Sequence, residues 1–165
     1  MFLLVRAARP EDARAIAAIY APFVLTSTAT LELEPPDAAE IERRMRSVQD
    51  AGLPYLVAEA DGGVVAGYAY ATAFRPRAGY RFTVEDSIYV RPDCVGYGVG
   101  KKLLSQLIQG CQEAGCHRMM ACICGENPVS VGLHRSLGFE TLGRIPEAGF
   151  KFDQWVDMAM MQRAL

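Results

Sequence analysis

The chain has 165 residues, 51% of them hydrophobic, which is enough apolar material for one packed domain expected to span residues 1–165. A formal net charge of −2 provides no basic field for nucleic acid or anionic lipid, so the expected partners are small molecules or protein. The apolar run at residues 2–5 is cut by Arg6, Arg9, Glu11 and Asp12 short of signal or spanning length, from which a cytoplasmic location is expected.

In chain order, residues 3–7 read as a short strand, and Pro10 opens a helix to residue 20 with Ala13, Ile16, Ala17 and Tyr20 along one face. A loop to about Pro36 follows. Asp37 is a natural N-cap with Glu40 three residues on, predicting a helix to about residue 50 that stops before Gly52. Residues 55–60 and 64–74 flank Asp61, Gly62 and Gly63, a hairpin made from residues that tolerate positive φ. Residues 81–90 alternate and are rich in Phe, Val, Ile and Tyr, which favours a strand, and Pro92 ends its ladder. A glycine loop leads into a helix from Val99 to about Ala114, carrying Leu103, Leu104, Leu107 and Ile108 at helical spacing. Residues 119–124 read as a buried strand, 128–137 as a short helix stopped by Gly138, and 139–144 and 155–161 as strands. The predicted order is β-α-α-β-β-β-α-β-α-β-β, an α/β domain.

Cys94, Cys111, Cys116, Cys122 and Cys124 are odd in number and contain no C-x-x-C pair, so neither a disulfide frame nor a zinc knuckle is expected. Cys122 and Cys124 share one strand face and read as small buried hydrophobes. Cys116 and His117 adjoin in sequence with nothing to complete a site, and no metal is expected.

The most informative segment is Val95, Gly96, Tyr97, Gly98, Val99, Gly100 and Lys101, lying between a strand and a helix, where free amide N–H groups meet an anion. It is not a Walker loop: three residues rather than four separate Gly96 from Gly100, and Lys101 is followed by Lys102. Nor does it have the G-x-G-x-x-G spacing and early position of a dinucleotide loop. The spacing resembles the acyl-CoA loop of the GNAT superfamily of N-acetyltransferases, with Gly98 and Gly100 at its glycine positions and Val95 replacing the usual Arg or Gln. Further segments resemble the phosphinothricin and methionine sulfone or sulfoximine acetyltransferase branch. They are Ile19-Tyr20, Thr28-Ala29-Thr30, Phe74-Arg75-Pro76-Arg77, the run of Thr83, Val84, Glu85, Asp86, Ser87, Ile88, Tyr89 and Val90, Asn127, Leu133-His134, Leu137-Gly138-Phe139, Lys151-Phe152, Trp155 and Asp157.

That resemblance implies a mixed, mostly antiparallel central sheet flanked by helices, with central strands splayed to admit acetyl-CoA. It implies that the main chain of Ile88, Tyr89 and Val90 pairs with pantetheine and that Gly96 to Lys101 receives the pyrophosphate. Asn127 and Ser136 would contact the pantetheine arm. Arg75, Pro76, Arg77, Glu85, Asp86 and Ser87 would bind a small amino-acid substrate, and the protein would be a homodimer.

The chemistry adds roles. An amine must lose a proton before attack, and Glu85 is the first choice of base; on a period-2 strand it shares a face with Ser87 and Tyr89. His134 falls where many relatives carry Tyr, so it is the candidate acid for the departing CoA thiolate, with Tyr89 behind it. Arg75 and Arg77, two apart, can face one way and grip a carboxylate. Leu31 stands where relatives often have Phe, and it bears on the pocket wall. Two other readings remain: an acetyltransferase of protein N-termini, which needs an open peptide groove, and a non-enzymatic acyl-CoA-binding regulator.

Overall fold

The computed structural model describes residues 2–165, so the expected domain is seen from Phe2 onward and Met1 lies outside it. Seven strands and four α-helices follow the predicted order: β1 (Leu3–Ala7), α1 (Ala13–Thr26), α2 (Ala38–Asp50), β2 (Tyr55–Ala60), β3 (Val64–Ala73), β4 (Thr83–Val90), α3 (Val99–Glu113), β5 (Arg118–Cys124), α4 (Pro128–Ser136), β6 (Glu140–Lys151) and β7 (Gln154–Ala164). They build one sheet in the order β1-β2-β3-β4-β5-β7-β6. Every neighbouring pair is antiparallel except β4 and β5.

Each face of the sheet carries its own core. Helices α1 and α2 cover one face through Ile16, Val24, Ile41 and Met45, packed on Val57 and Tyr68. Helix α3 covers the other through Leu103, Leu104 and Leu107 on Ala69, Val84 and Met119, and α4 joins it there through Val131, Leu133 and Leu137. The hairpin between β2 and β3 turns through Gly62 and Gly63 at φ 76° and 79°, as its glycines require. Gly67 on β3 is needed for contact: a Cβ there would lie 2.8 Å from the Tyr89 carbonyl oxygen and 3.2 Å from Leu103 and Val99.

The chain departs from the sequence reading at several ends. Helix α1 runs to Thr26 rather than stopping at residue 20, with Pro22 inside it. Proline removes one ladder bond, but burial of Val24 and the packing of Phe23 on Tyr89, 5.1 Å between ring centres, hold the extra turns. Strand β4 starts at Thr83 rather than at 81, and β6 and β7 are longer than expected. A register shift between Ile145 and Gly149 absorbs Pro146, and another lies between Thr141 and Gly143. Asp37 accepts the Glu40 N–H at 2.8 Å, but the Glu40 carboxylate turns to Arg43 and Arg44, so the cap works in one direction only.

Two polar ties cross the fold. Arg6 on β1 donates to both Asp12 oxygens at 2.8 and 2.9 Å and to Glu59 at 2.8 Å, and Asp12 also accepts the Arg9 N–H. Lys151 at the end of β6 is 2% exposed and donates to the carbonyls of Ser27 at 2.7 Å and Thr30 at 2.8 Å. It thereby pins the loop after α1 beneath the β6–β7 hairpin.

Candidate active site

The parallel ladder between β4 and β5 has three positions, Thr83 with Arg118, Val84 with Met119 and Glu85 with Met120, and then it ends. Both strands continue, β4 to Val90 and β5 to Cys124, so they diverge into a cleft. A cavity of about 380 Å³ fills that cleft, lined by residues 85–90 of β4 and 121–124 of β5, with Thr30 and Leu31 on one side and Asn127, Ser130, Leu133 and His134 on the other. The expected splay is present.

Main-chain direction follows from the β3 ladder. The Phe74 N–H donates to the Thr83 carbonyl at 3.1 Å, and the Arg91 N–H donates to the Ala66 carbonyl at 2.9 Å. Antiparallel bonding alternates without a shift between these points, so residues 83, 85, 87, 89 and 91 bond toward β3. Asp86, Ile88 and Val90 therefore turn their N–H and C=O groups toward the cleft. An extended amide chain would satisfy them as an added strand does, which suits pantetheine.

The glycine loop opens at the mouth of this cleft. Gly98, at φ 80°, is the N-cap of α3, a conformation that favours glycine. A Cβ on Gly100 would lie 3.3 Å from Leu133 and 3.7 Å from Val90, both of them cavity-lining residues, so the first turn of α3 sits against β4 and α4. Gly96, Tyr97, Gly98 and Lys101 are exposed, with Val99 buried beneath them. The unpaired amides of that turn fit a pyrophosphate. Val95 lines the cavity as an apolar wall where an Arg or Gln was the usual residue.

Side chains divide by parity between the two faces. Glu85 lies on the α1–α2 face; burial raises its carboxyl above the usual range, with the Cys122 thiol and the charge of Arg75 acting downward and the charge of Asp86 upward. Ser87 on that face meets Tyr70. Tyr89 follows and packs its ring against Tyr20 and Phe23, 4.8 and 5.1 Å between centres, and burial raises its hydroxyl pKa well above 10, which makes it a poorer proton donor.

Asp86 lies on the other face, in the α4 direction. Its Oδ2 is 2.9 Å from His134 Nε2, and both side chains are 2% exposed. His134 Nδ1 donates to the Ser130 carbonyl at 2.7 Å. Burial alone would lower the imidazole pKa, but the hydrogen bond and charge of Asp86 outweigh it and raise the pKa above 6.5. Two expectations are affected. Asp86 commits its Oδ2 to His134, and His134 has no N–H left for a departing thiolate unless it releases Asp86.

The remaining candidates are spread more widely. Arg75, Pro76 and Arg77 line a separate recess with Arg81, Phe82 and Cys116, not the cleft cavity, although the charge of Arg75 reaches Glu85. Ser136 is exposed at the end of α4 and donates to the Leu133 carbonyl at 2.7 Å, outside the cavity lining. Asn127 lines the cavity and caps α4, its Oδ1 accepting the Ser130 N–H at 3.0 Å, which leaves its amide NH₂ free to reach a ligand. Sequence reasoning missed Cys122 and Cys124 as cavity walls; that they share one strand face was legible, but not that it is the Glu85 face or that the neighbouring strand leaves it open. Burial and the adjacent Glu85 push the Cys122 thiol up to about 12. Among the described residues no group of three His, Cys, Asp or Glu is placed to hold a metal ion.

Comparison with known proteins agrees with this geometry. A family model described as an acetyltransferase (GNAT) domain matches residues 5–160. The chain is 51% identical over 163 residues to a phosphinothricin N-acetyltransferase of Alcaligenes faecalis, covering 98% of this chain and 82% of the relative. It is 42% identical over 158 residues to an L-methionine sulfoximine/L-methionine sulfone acetyltransferase of Pseudomonas paraeruginosa, covering 96% and 92%. A phosphinothricin acetyltransferase from Sinorhizobium meliloti, solved in complex with acetyl-CoA, superposes with a TM-score of 0.96 at 47% identity, covering all of this chain and 89% of that one.

Proposed function

The chain belongs to the GNAT acetyltransferase family and is an acetyl-CoA-dependent N-acetyltransferase, and we propose that its acceptor is a small free amino acid of the methionine sulfone, methionine sulfoximine or phosphinothricin kind. The observation that carries this reading is Glu85, a carboxylate held at the vertex of the cleft on the face opposite the glycine loop and α4. Bound acetyl-CoA supplies an activated acetyl group. The cleft-facing main chain of Ile88 and Val90, the Asn127 amide and the glycine loop with the first turn of α3, Gly96 to Lys101, would hold it.

The acceptor enters from the Glu85 face. An ammonium group is attracted by the Glu85 carboxylate and gives it a proton, directly or through one water; the amine so freed attacks the acetyl carbonyl across the vertex, the C–N bond forms as the C–S bond breaks, and CoA leaves as a thiolate that takes up the nitrogen's second proton through water. Burial raises the carboxyl pKa above the ordinary range, which makes its ionised form a stronger base. Arg75 is close enough for its charge to act on Glu85, which supports an acceptor carboxylate anchored from that side, with Arg77 and Pro76 shaping the approach. Ser87 is the neutral polar group on the same face. Leu31 and Thr30 close the wall around the side chain.

We take the working protein to be a cytoplasmic homodimer. Support for association comes from the β6–β7 hairpin, where the Phe150 and Trp155 rings meet at a tilt, 4.9 Å between centres, while 52% and 64% exposed, an apolar patch of the kind that partners cover. The test is acetyl-CoA turnover, followed as free thiol, across methionine sulfone, methionine sulfoximine, phosphinothricin, common amino acids and short peptides. Turnover confined to the free amino acids supports the reading. Turnover confined to peptides would replace it with the protein N-terminal one.

A further inference from the structure

We propose that Asp86 is a positioning residue, which keeps His134 as an imidazolium and through that ion pair fixes the width of the acetyl-CoA cleft on its α4 side. The proposal rests on acetyl-CoA occupying the cleft. Its starting point is the place of Asp86 in the sheet: Glu85 makes the last contact with β5, and Asp86 is the first residue of β4 without a ladder partner on that side. The strand spacing is therefore no longer set by main-chain bonding. Helix α4 forms the far wall there, contributing Ser130, Leu133 and His134, with its cap Asn127. The Asp86–His134 bond, 48 residues apart in sequence, joins β4 directly to that wall.

The protonation state follows from the partners. A carbonyl oxygen only accepts, so the Ser130 carbonyl fixes the proton of Nδ1. Nε2 then faces a carboxylate, which as an anion also only accepts, so a second ring proton satisfies both contacts. A neutral ring would set a lone pair against the carboxylate. Asp86 Oδ1 is buried without a protein partner, so the carboxylate relies on His134 for its counter-charge. The ring also rests edge-on against Phe139 at 4.9 Å, which fixes its plane.

The other titratable groups around the pair leave His134 in that role. Glu85 on β4 is an acid, and Cys111 on α3 and Cys122 on β5 feel the charge of Asp86 while burial pushes each thiol up to about 12. Cys124 on β5 is likewise raised by burial. Arg163 of β7 is turned to the Leu137 carbonyl, and Arg135 on α4 is exposed. Because the folded pKa of His134 lies above 6.5, the ion pair is intact at and below that value. It is lost as pH rises through the folded pKa.

The chain has two histidines, His117 and His134, so imidazole ¹⁵N NMR reads the pair directly. We expect one histidine of the wild-type protein to carry protons on both ring nitrogens at pH 7 and to release one above the ordinary range. In Asp86→Asn that signal should titrate at or below the ordinary value. KM for acetyl-CoA should rise about tenfold or more while KM for the amine changes less than about twofold, as expected when one partner of a buried charge pair is removed. In the wild type, KM for acetyl-CoA should climb with pH through the same titration, and in the variant that inflection should vanish. Two neutral histidines in the wild type at pH 7, or an Asp86→Asn enzyme with unchanged KM for acetyl-CoA, would overturn the proposal. If the variant does not fold, the wild-type titration and the wild-type KM profile decide by their agreement or disagreement. Calorimetry with acetyl-CoA separates the two levels: a wild type that binds none fails the acetyltransferase reading, whereas equal binding by wild type and variant fails the positioning role alone.

Discussion

Glu85 and Asp86 are consecutive in the chain and lie on opposite sides of the sheet: Glu85 is half-buried beside Cys122 on the α1–α2 face, while Asp86 reaches His134 at 2.9 Å on the α4 face. In the proposed reading, the strand pleat that separates them lets one dipeptide at the vertex of the cleft offer one carboxylate to the acceptor and the other to the cofactor wall. Replacing either should disturb a different substrate.

Glu85→Gln should lower kcat by about 10²–10⁴-fold, the usual contribution of a positioned base, and leave acetyl-CoA affinity near that of the wild type. The wild-type rate should fall as pH drops through the raised Glu85 pKa, since the base must be ionised. Steady-state thiol release from pH 5 to 9, with cofactor titration at each end, checks both; a Gln variant that keeps the acidic limb would remove Glu85 from the role.

Leu31 packs directly on Gly149 of β6, where a Cβ would overlap its Cδ1 and lie 2.9 Å from Cδ2. Gly149→Ala should therefore push Leu31 into the acceptor wall, costing about 1–3 kcal/mol of stability as overpacking does and raising KM for the amine. Leu31→Ala should relieve it, so the double variant should be less destabilised than the two single changes added together. Denaturant melts and amine KM for all four proteins make the measurement.

Lys151→Met keeps the stem but removes the donors to Ser27 and Thr30. Two carbonyls lose their partner, for an expected loss of about 2–4 kcal/mol. The freed loop at residues 27–31 should also weaken acceptor binding more than cofactor binding. Urea unfolding with KM for both substrates tests this, and a Met variant as stable as the wild type would contradict it.

Asp12 gives a pH signature. Burial alone would raise its carboxyl, but Arg6 and the Arg9 N–H together bring it below 3.8. A depressed acid stabilises the fold above its unfolded value and loses that contribution as pH falls through the folded one. Asp12→Asn should thus be less stable than the wild type at pH 6, by about 1.5–3 kcal/mol for a hydrogen bond to a charged group, and the gap should narrow below pH 3.8. Thermal melts from pH 2.5 to 6 follow it.

Much of this was visible in the residues because it is local. Alternation in residues 83–90, the Asp-Gly-Gly hairpin and the leucine spacing after Val99 each act within one element, and the strand and helix order follows from them. The glycine loop was legible for the same reason. The Asp86–His134 pair was not, because it joins residues 48 apart. Alternation did carry one unused signal: Asp86 cannot share a sheet face with Glu85. The arginine pair shows the converse limit, for Arg75 and Arg77 do stand two apart, yet the turn before β4 places them on a neighbouring recess. The length of α1 was hidden by Pro22, whose local cost is outweighed by burial that only the folded sheet provides.

The early end of the β4–β5 ladder divides the sheet mechanically. Strands β1 to β4 form one leaf and β5, β7 and β6 another, each continuously bonded within itself, and three register positions form the hinge between them. A ligand bonded along Ile88 and Val90 while seated against α4 acts as mortar across that hinge. Its binding therefore adds to the cohesion of the whole domain, by about 2.7 kcal/mol at a hundredfold excess over Kd. The amide hydrogens of Ile88 and Val90, which face the cleft rather than β3, should exchange more slowly once it binds and so report that the two leaves have been joined.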